Sequence, residues 1–363
     1  MSDSIKRIAI AIASITVTAI VNAADNAPVT ASAPTTIAEQ RPAPGTMAAA
    51  IRGYADFYPP PNPPVPFWAF TWDPPATATL KRKPDDDVMR TLKGSTQTFS
   101  RTQVLNGFDV VDWHPEGHPP APDIVLKGHK PQPTACAFCH LPNGAGLAEN
   151  APLAGLPVEY FLRQVRDFKN KTRLTMDMRM AAWHGMAEYI TPPLTDDDAR
   201  AAADYYSKLK LKPYLKVIEV TTVPKYQSIQ YTMVPVEGGG MEPLGNRVIE
   251  TPTDLVRHDL LDSEVGYTVY VPKGSIKKGE KLVRTGGKGK TLACTSCHGS
   301  DLRGIGEIPP IAGRGPSNMA RQLYNMKFGA RAAPEMLLMK QVVMNLSDED
   351  IVNIVAYITT LKP

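Results

Sequence analysis

The chain has 363 residues, 43% of them hydrophobic and 21% charged, with a formal net charge of +4. This balance excludes disorder throughout and leaves material for two or three compact units. The 40 Lys and Arg are spread along the sequence beside 36 Asp and Glu, without the dense basic stripe that holds a phosphate backbone, so nucleic acid is not expected as a partner.

In chain order, Lys6 and Arg7 precede an apolar run from Ile8 to Val21, followed by the small-residue signal Val21-Asn22-Ala23. This is the layout of a secretory signal peptide over residues 1–23. The run is short for a span of about 20 residues, and no later stretch is apolar enough to cross a bilayer. Export is expected, with membrane contact only through a partner or an uncleaved signal. Residues 24–110 form a Pro-rich arm, because many of the 35 prolines fall in the first third of the chain and favour extended loops over helix. Its aromatic residues Tyr58, Phe67, Trp68, Phe70 and Trp72 are too apolar to leave in water and are expected to pack over a neighbouring unit, with a partner-docking surface as the alternative. His114 and His118, which lead into the next segment, read as loop residues.

The four cysteines fall into two pairs, Cys136-Ala137-Phe138-Cys139-His140 and Cys294-Thr295-Ser296-Cys297-His298. This CxxCH spacing is that of c-type haem attachment. Two thiols three residues apart lie on one side of a helical turn, so both can add to the vinyl groups of one porphyrin edge. The next residue, His140 or His298, then sits under the iron. A redox CxxC lacks its βαβ setting here, a four-thiolate zinc site leaves two histidines without a purpose, and tandem CxxC pairs are an unusual disulfide framework. Two covalent haem c groups are therefore expected.

After the first pair, a loop holds Met176, Met178, Met180, His184 and Met186. A helix is predicted to begin at Thr195, an N-cap followed by Asp196, Asp197 and Asp198, with Ala199, Ala202, Ala203 and Tyr205 on one apolar face. Between the pairs, Val217–Val223, Ser228–Val236 and Tyr267–Val271 alternate in polarity beside turn signals and read as short strands. Gly279 to Val283 begins a helix ahead of the second pair. Ser347 caps the last helix in the way Thr195 caps its counterpart, and Ile351, Ile354, Val355 and Tyr357 form its apolar face.

The chain also aligns with itself at an offset of 158 residues. Gly155 matches Gly313, Arg163-Gln164 matches Arg321-Gln322, and Arg173 matches Arg331, so one fold is used twice. Tyr205 and Tyr357 stand at equal distances from Leu194 and Leu346. A second axial ligand must come from the loop before each final helix. Position in the repeat selects Met339, seven residues before Leu346, ahead of Met336, with Met344 assigned to the core. In the first copy it selects Met186, while Met176, Met178, Met180 and His184 stay open.

These residues resemble the class I cytochrome c fold in duplicate, and more closely the diheme c-type cytochromes of the bacterial periplasm. The stretches that carry the likeness are PTACAFCHLPNGAGLAENAPLAGLPVEYFLRQVRDFK, TLACTSCHGSDLRGIGEIPPIAGRGPSNMARQLYNMKFGAR and the tail MKQVVMNLSDEDIVNIVAYITTL. The resemblance implies a mainly α protein with two tandem cytochrome c domains, 111–212 and 274–363, joined by a short β-rich connector, 213–273. It implies thioether bonds at Cys136, Cys139, Cys294 and Cys297, proximal His140 and His298, and distal Met339. Arg173 and Arg331 sit where a guanidinium can neutralise a haem propionate; a solvated surface position is the alternative for both.

The function expected from this is electron transfer between periplasmic redox partners. A periplasmic dehydrogenase or quinol-linked donor would supply electrons, and a terminal oxidase or small cytochrome would accept them. The chain would act as a free carrier or as the cytochrome subunit of a dehydrogenase, and not as an enzyme by itself. A diheme peroxidase is the rival reading, but it needs an open iron and an acid–base group that the sequence does not display.

Overall fold

The computed structural model describes residues 58–74 and 86–363. The leader expected over 1–23 and the low-complexity start of the arm lie outside the described residues.

Among the described residues the order begins with a short helix α1 (Arg101–Val104) and α2 (Asp123–Leu126), then α3 (Ala137–His140), α4 (Val158–Lys169), α5 (Ala181–His184) and α6 (Asp196–Lys208). A π-helical turn, Gly185–Ile190, continues directly from α5. Thr195 caps α6 by accepting a hydrogen bond from Asp198 N, and three aspartates occupy the first turn, where the helix dipole favours negative charge. Phe161 and Val165 of α4 then bury against Ala199, Ala202, Ala203, Tyr205 and Tyr206 of α6 in one apolar core.

The connecting segment contains β1 (Leu215–Val220), β2 (Thr222–Pro224), β3 (Tyr226–Ile229), β4 (Thr232–Pro235), β5 (Met241–Pro243), β6 (Ile249–Pro252), α7 (Leu255–Asp259) and β7 (Tyr267–Pro272). β7 lies between β1, parallel to it with Leu215 opposite Tyr267, and β6, antiparallel with Ile249 opposite Tyr270. The alternating sequence is more broken than the periodicity predicts. Thr221 separates β1 from β2, and the expected strand Ser228–Val236 folds back on itself as the β3/β4 hairpin. Gln230 and Tyr231 take positive φ at that turn, and the Asp73 carboxylate accepts hydrogen bonds from both of their backbone N–H groups. The turn is thus fixed by a residue more than 150 positions away, which periodicity cannot report.

The last part holds α8 (Ser275–Thr285), α9 (Thr295–His298), α10 (Pro316–Lys327), α11 (Leu337–Val343) and α12 (Asp348–Thr360). Ser347 and Asp350 form a reciprocal capping box at the start of α12. α8 crosses α12 at Gly279, where an added Cβ would lie 1.8 Å from Asn353 O, so only glycine permits this approach. Leu282 and Val283, Ala320 and Tyr324, and Ile351, Val355 and Ile358 share a second core with Val269 and Val271 of β7. Trp68, Ala69 and Phe70 of the arm are buried in the same core, so these aromatic residues pack over the second unit.

Candidate functional site

Each CxxCH segment forms one helical turn, α3 or α9, and the two turns are held alike. His140 Nδ1 lies 2.8 Å from Ala151 O, and His298 Nδ1 lies 2.8 Å from Pro309 O, each carbonyl eleven residues beyond its histidine. A carbonyl only accepts, so each Nδ1 carries the proton and each Nε2 keeps its lone pair. Burial pushes the His140 pKa down to about 4, and that of His298 is lowered for the same reason. Both rings are therefore neutral at pH 7 and suited to bind a metal through Nε2.

The thiols point to the same chemistry. Burial pushes Cys136 up to about 12 and Cys294 up to about 11. A buried thiol held in its protonated form is a poor thiolate ligand or redox nucleophile. A thioether sulfur is neutral and carries no such penalty, so the sites fit covalent haem attachment better than a zinc or disulfide site.

The loops before the final helices differ. Met336 and Met339 are half-buried against the second core, whereas Met344 is 55% exposed. The expected core position of Met344 is therefore corrected: α11 turns Val343 inward and leaves Met344 outward. In the first loop, Met180 is 1% exposed and packs with Met176 on the second unit's core, and Met176 N donates to Asn325 Oδ1. His184 is fully buried, with Nε2 2.8 Å from Met178 O and Nδ1 3.1 Å from the Glu188 carboxylate. Met186 is half-buried at the start of the π-helical turn, where Thr191 N and Oγ1 both donate to its carbonyl.

Arg173 and Arg331 meet. Their backbones form an isolated antiparallel bridge, flanked by Leu174 N donating to Ala330 O and Ala332 N to Thr172 O. Arg173 donates to Gln164 at 2.9 Å and Gln322 at 3.4 Å, and Arg331 to Gln322 at 3.2 Å and Gln164 at 2.5 Å. The same exchange links Arg163 to Glu307 and Arg321 to Glu149 O. With the offset of 158, each contact is the mate of another, which is the signature of a local twofold axis through the arginine pair.

Neither arginine is a solvated surface residue. Arg331 is 4% exposed, and burial with the charge of Arg331 lowers Arg173 to about 9. Arg314 and Arg321, held at carbonyls of the first unit, are pushed down to about 10 by burial. Burial raises the pKa of Tyr160, but the charges of Arg331, Arg173 and Arg314 outweigh it and the net shift is downward. Arg314 Nε, Arg321 Nη2 and Arg331 Nε have no acceptor among the described residues. Buried cations with orphaned donors are costly unless anions reach them, and the carboxylates of a bound porphyrin would be anions of the right charge.

Sequence reasoning did not find Arg314 or Glu250. Arg314 stands at the repeat position of the buried Leu156, and a charge replacing a core residue in a repeat was the available signal. Glu250 lies on β6 and gave none.

Comparison with known proteins agrees with this chemistry. The family model for cytochrome c matches residues 276–362. Cytochrome c4 of Azotobacter vinelandii is 34% identical over 84 residues, 21% of this chain and 40% of that protein. The chain thus spans about two fifths of the length of this relative. Cytochrome c-554(547) of Halothiobacillus neapolitanus is 35% identical over 85 residues, 20% of this chain and 93% of that protein. The solved structure of cytochrome c4 from Acidithiobacillus ferrooxidans aligns with a TM-score of 0.40 and 20% identity, over 62% of this chain and 98% of that one.

Proposed function

This chain belongs to the cytochrome c family, and on that premise we propose that it is an exported diheme electron-transfer protein with one haem c in each of two tandem domains, 111–212 and 274–363. The observation that carries the reading is the duplicated proximal site: two CxxCH turns whose histidines donate Nδ1–H at 2.8 Å to carbonyls at the same spacing. When bound, each haem supplies reversible one-electron chemistry at its iron. The residues of the chain do the rest. His140 and His298 present Nε2 in a fixed tautomer, and the four cysteines fix the porphyrin edge. Met339 and Met186 are the sulfur donors assigned to the open faces. Arg173 and Arg331, beside Arg314 and Arg321, place positive charge where the propionates would lie.

The proposed location is the periplasm, supported by the leader over 1–23. Among the described residues no helix is long and apolar enough to cross a membrane. The partners are proposed by class: a dehydrogenase or quinol-linked donor, and an oxidase or small cytochrome as acceptor. The chain serves as carrier or as a dehydrogenase's cytochrome subunit. Intact-mass measurement of the full chain, made in a host that matures c-type cytochromes, should show two haem increments. A mass equal to the bare polypeptide, or one increment only, ends the diheme reading.

A further inference from the structure

The local twofold axis relates two edges of the paired units, and the chain covers only one of them. On the open edge Arg163 pairs with Glu307, whose side chain is 58% exposed. On the other edge their repeat mates, Arg321 and Glu149, meet segments that lie outside the repeat. Arg321 Nε donates to Ala69 O of the arm at 2.8 Å, and Arg321 Nη1 donates to Glu149 O at 2.8 Å. β6 of the connector adds Glu250, 3% exposed, whose Oε2 accepts from Ser317 N at 3.2 Å. A Cβ on Gly315 would lie 3.0 Å from Glu250 Oε1 and 3.5 Å from the Tyr214 hydroxyl oxygen, so carboxyl and phenol flank the same glycine.

The groups facing Glu250 come from every segment packed on this edge. Ser317 and Arg321 of α10 and Glu149 of the loop after α3 act on its carboxyl. Glu250 in turn acts on Tyr214 ahead of β1 and on Tyr267 of β7, and Arg314 acts on Tyr214. The two arginines also hold the loop that orients the first proximal histidine. Arg321 binds Glu149 O, His140 Nδ1 lies 2.8 Å from Ala151 O, and Arg314 donates to Pro152 O at 2.6 Å and Ala154 O at 2.9 Å. Arg314 Nε and Arg321 Nη2 keep donors without acceptors among the described residues. Charge on Glu250 therefore acts on the same buried cations that grip the loop behind His140.

We propose that Glu250 couples electron transfer to proton transfer: when the first haem takes an electron, the Glu250 carboxylate takes a proton from water, and oxidation releases it. The inference rests on the diheme reading above and adds a proton to its electron. The step balances: one electron passes from the donor protein to ferric iron, leaving it ferrous, and one proton from solvent adds to a Glu250 oxygen. An electron arriving at the iron adds a negative charge to a site of low dielectric, and neutralising a nearby carboxylate restores the balance. Glu250 is poised to respond. Burial, opposed by the bonds from Ser317 and the charge of Arg321 and helped by Glu149, holds its pKa at about 7. Both forms are then populated near neutral pH, and a change of charge at the iron shifts the proportion between them. The repeat supplies no second such group, because Glu250 belongs to the connector.

The test is a spectroelectrochemical titration of both haems in the haem-loaded full chain from pH 5 to pH 9. In the wild type the potential of one haem should fall as pH rises through neutrality, because the reduced state holds the proton more tightly. Glu250→Gln should remove at least a threefold difference in proton affinity between the two redox states, or about 28 mV of that fall at 59 mV per tenfold. Glu250→Met, which fills the same space without a carboxyl, should lose the same amount. Glu307→Gln, on the open edge, should keep the wild-type profile. The reduced-minus-oxidised infrared spectrum of the wild type at pH 7 should gain a protonated-carboxyl band that both Glu250 variants lack. An equal fall in the wild type and both Glu250 variants, as titrating propionates alone would give, overturns the proposal. So does an equal loss in Glu307→Gln, and equal pH steps on both haems overturn the assignment to the first. A pyridine haemochrome assay on the same samples separates the two failures. Two haems per chain with unmoved profiles refutes the role of Glu250 alone, and fewer than two in the wild type refutes the diheme reading.

Discussion

Glu250 is 3% exposed on β6, and its Oε2 accepts a hydrogen bond from Ser317 N, in the first turn of α10, at 3.2 Å. Burial raises its pKa; the bonds from Ser317 and the charge of Arg321 oppose the rise, and Glu149 adds to it, leaving a value of about 7 against the ordinary 4.5. At about 1.4 kcal/mol per pKa unit, ionising this carboxyl in the folded protein costs about 3 kcal/mol. The sign follows from proton counting. Between pH 4.5 and 7 the folded chain holds a proton that the unfolded chain has lost, so stability falls as pH rises through this window and levels off above it. Glu250→Gln removes the ionisation and keeps an oxygen acceptor for Ser317 N. The variant should match the wild type near pH 4.5 and exceed it by about 2 to 3 kcal/mol at pH 8, measured by denaturant unfolding of the haem-loaded chain. Parallel stability profiles for the two proteins from pH 4.5 to 8 would refute the argument that burial sets this carboxyl.

Gly279→Ala drives a methyl into Asn353 O, a backbone atom that cannot step aside. It should cost about 3 kcal/mol or more in denaturant unfolding, and a cost below about 1 kcal/mol would mean that α8 and α12 separate easily. Met339→Ala and Met186→Ala should each remove part of the long-wavelength sulfur-to-iron absorption band and lower the potential of one haem, as seen in a redox titration. Met344→Ala, at an exposed position, should do neither. Retention of the full band in Met339→Ala would move the ligand assignment to Met336.

Much of the candidate site was legible because the haem motif is local. Each CxxCH motif spans five residues, so the attachment it implies is read from a local stretch, and the offset of 158 carried the repeat through Arg163-Gln164 and Arg173 to Arg321-Gln322 and Arg331. The caps at Thr195 and Ser347 were readable for the same reason, since each bonds a group three residues away. What the sequence hid depends on contacts between distant segments. Equal repeat positions could be recognised, but not that Arg173 and Arg331 touch each other. Met180 looked like one of several loop methionines, and only the packing places it on the second unit's core. The β3/β4 turn depended on Asp73 in the arm.

The near-symmetry of the two units also explains why their differences carry information. A duplicated unit begins with the same surface twice, so each departure marks a contact that one copy makes and the other does not. The 86–117 segment covers the first copy, and Trp113 Nε1 donates to Leu260 O at 2.7 Å while His114 Nε2 lies 2.9 Å from the buried Asp262. Those contacts tie the covering segment to α7 and its following turn across more than 140 residues. The arm enters the core of the second copy through Trp68 and Phe70, and Arg321 Nε donates to Ala69 O at 2.8 Å. Neither set of contacts covers Leu292, Leu337 or Leu338, which remain exposed.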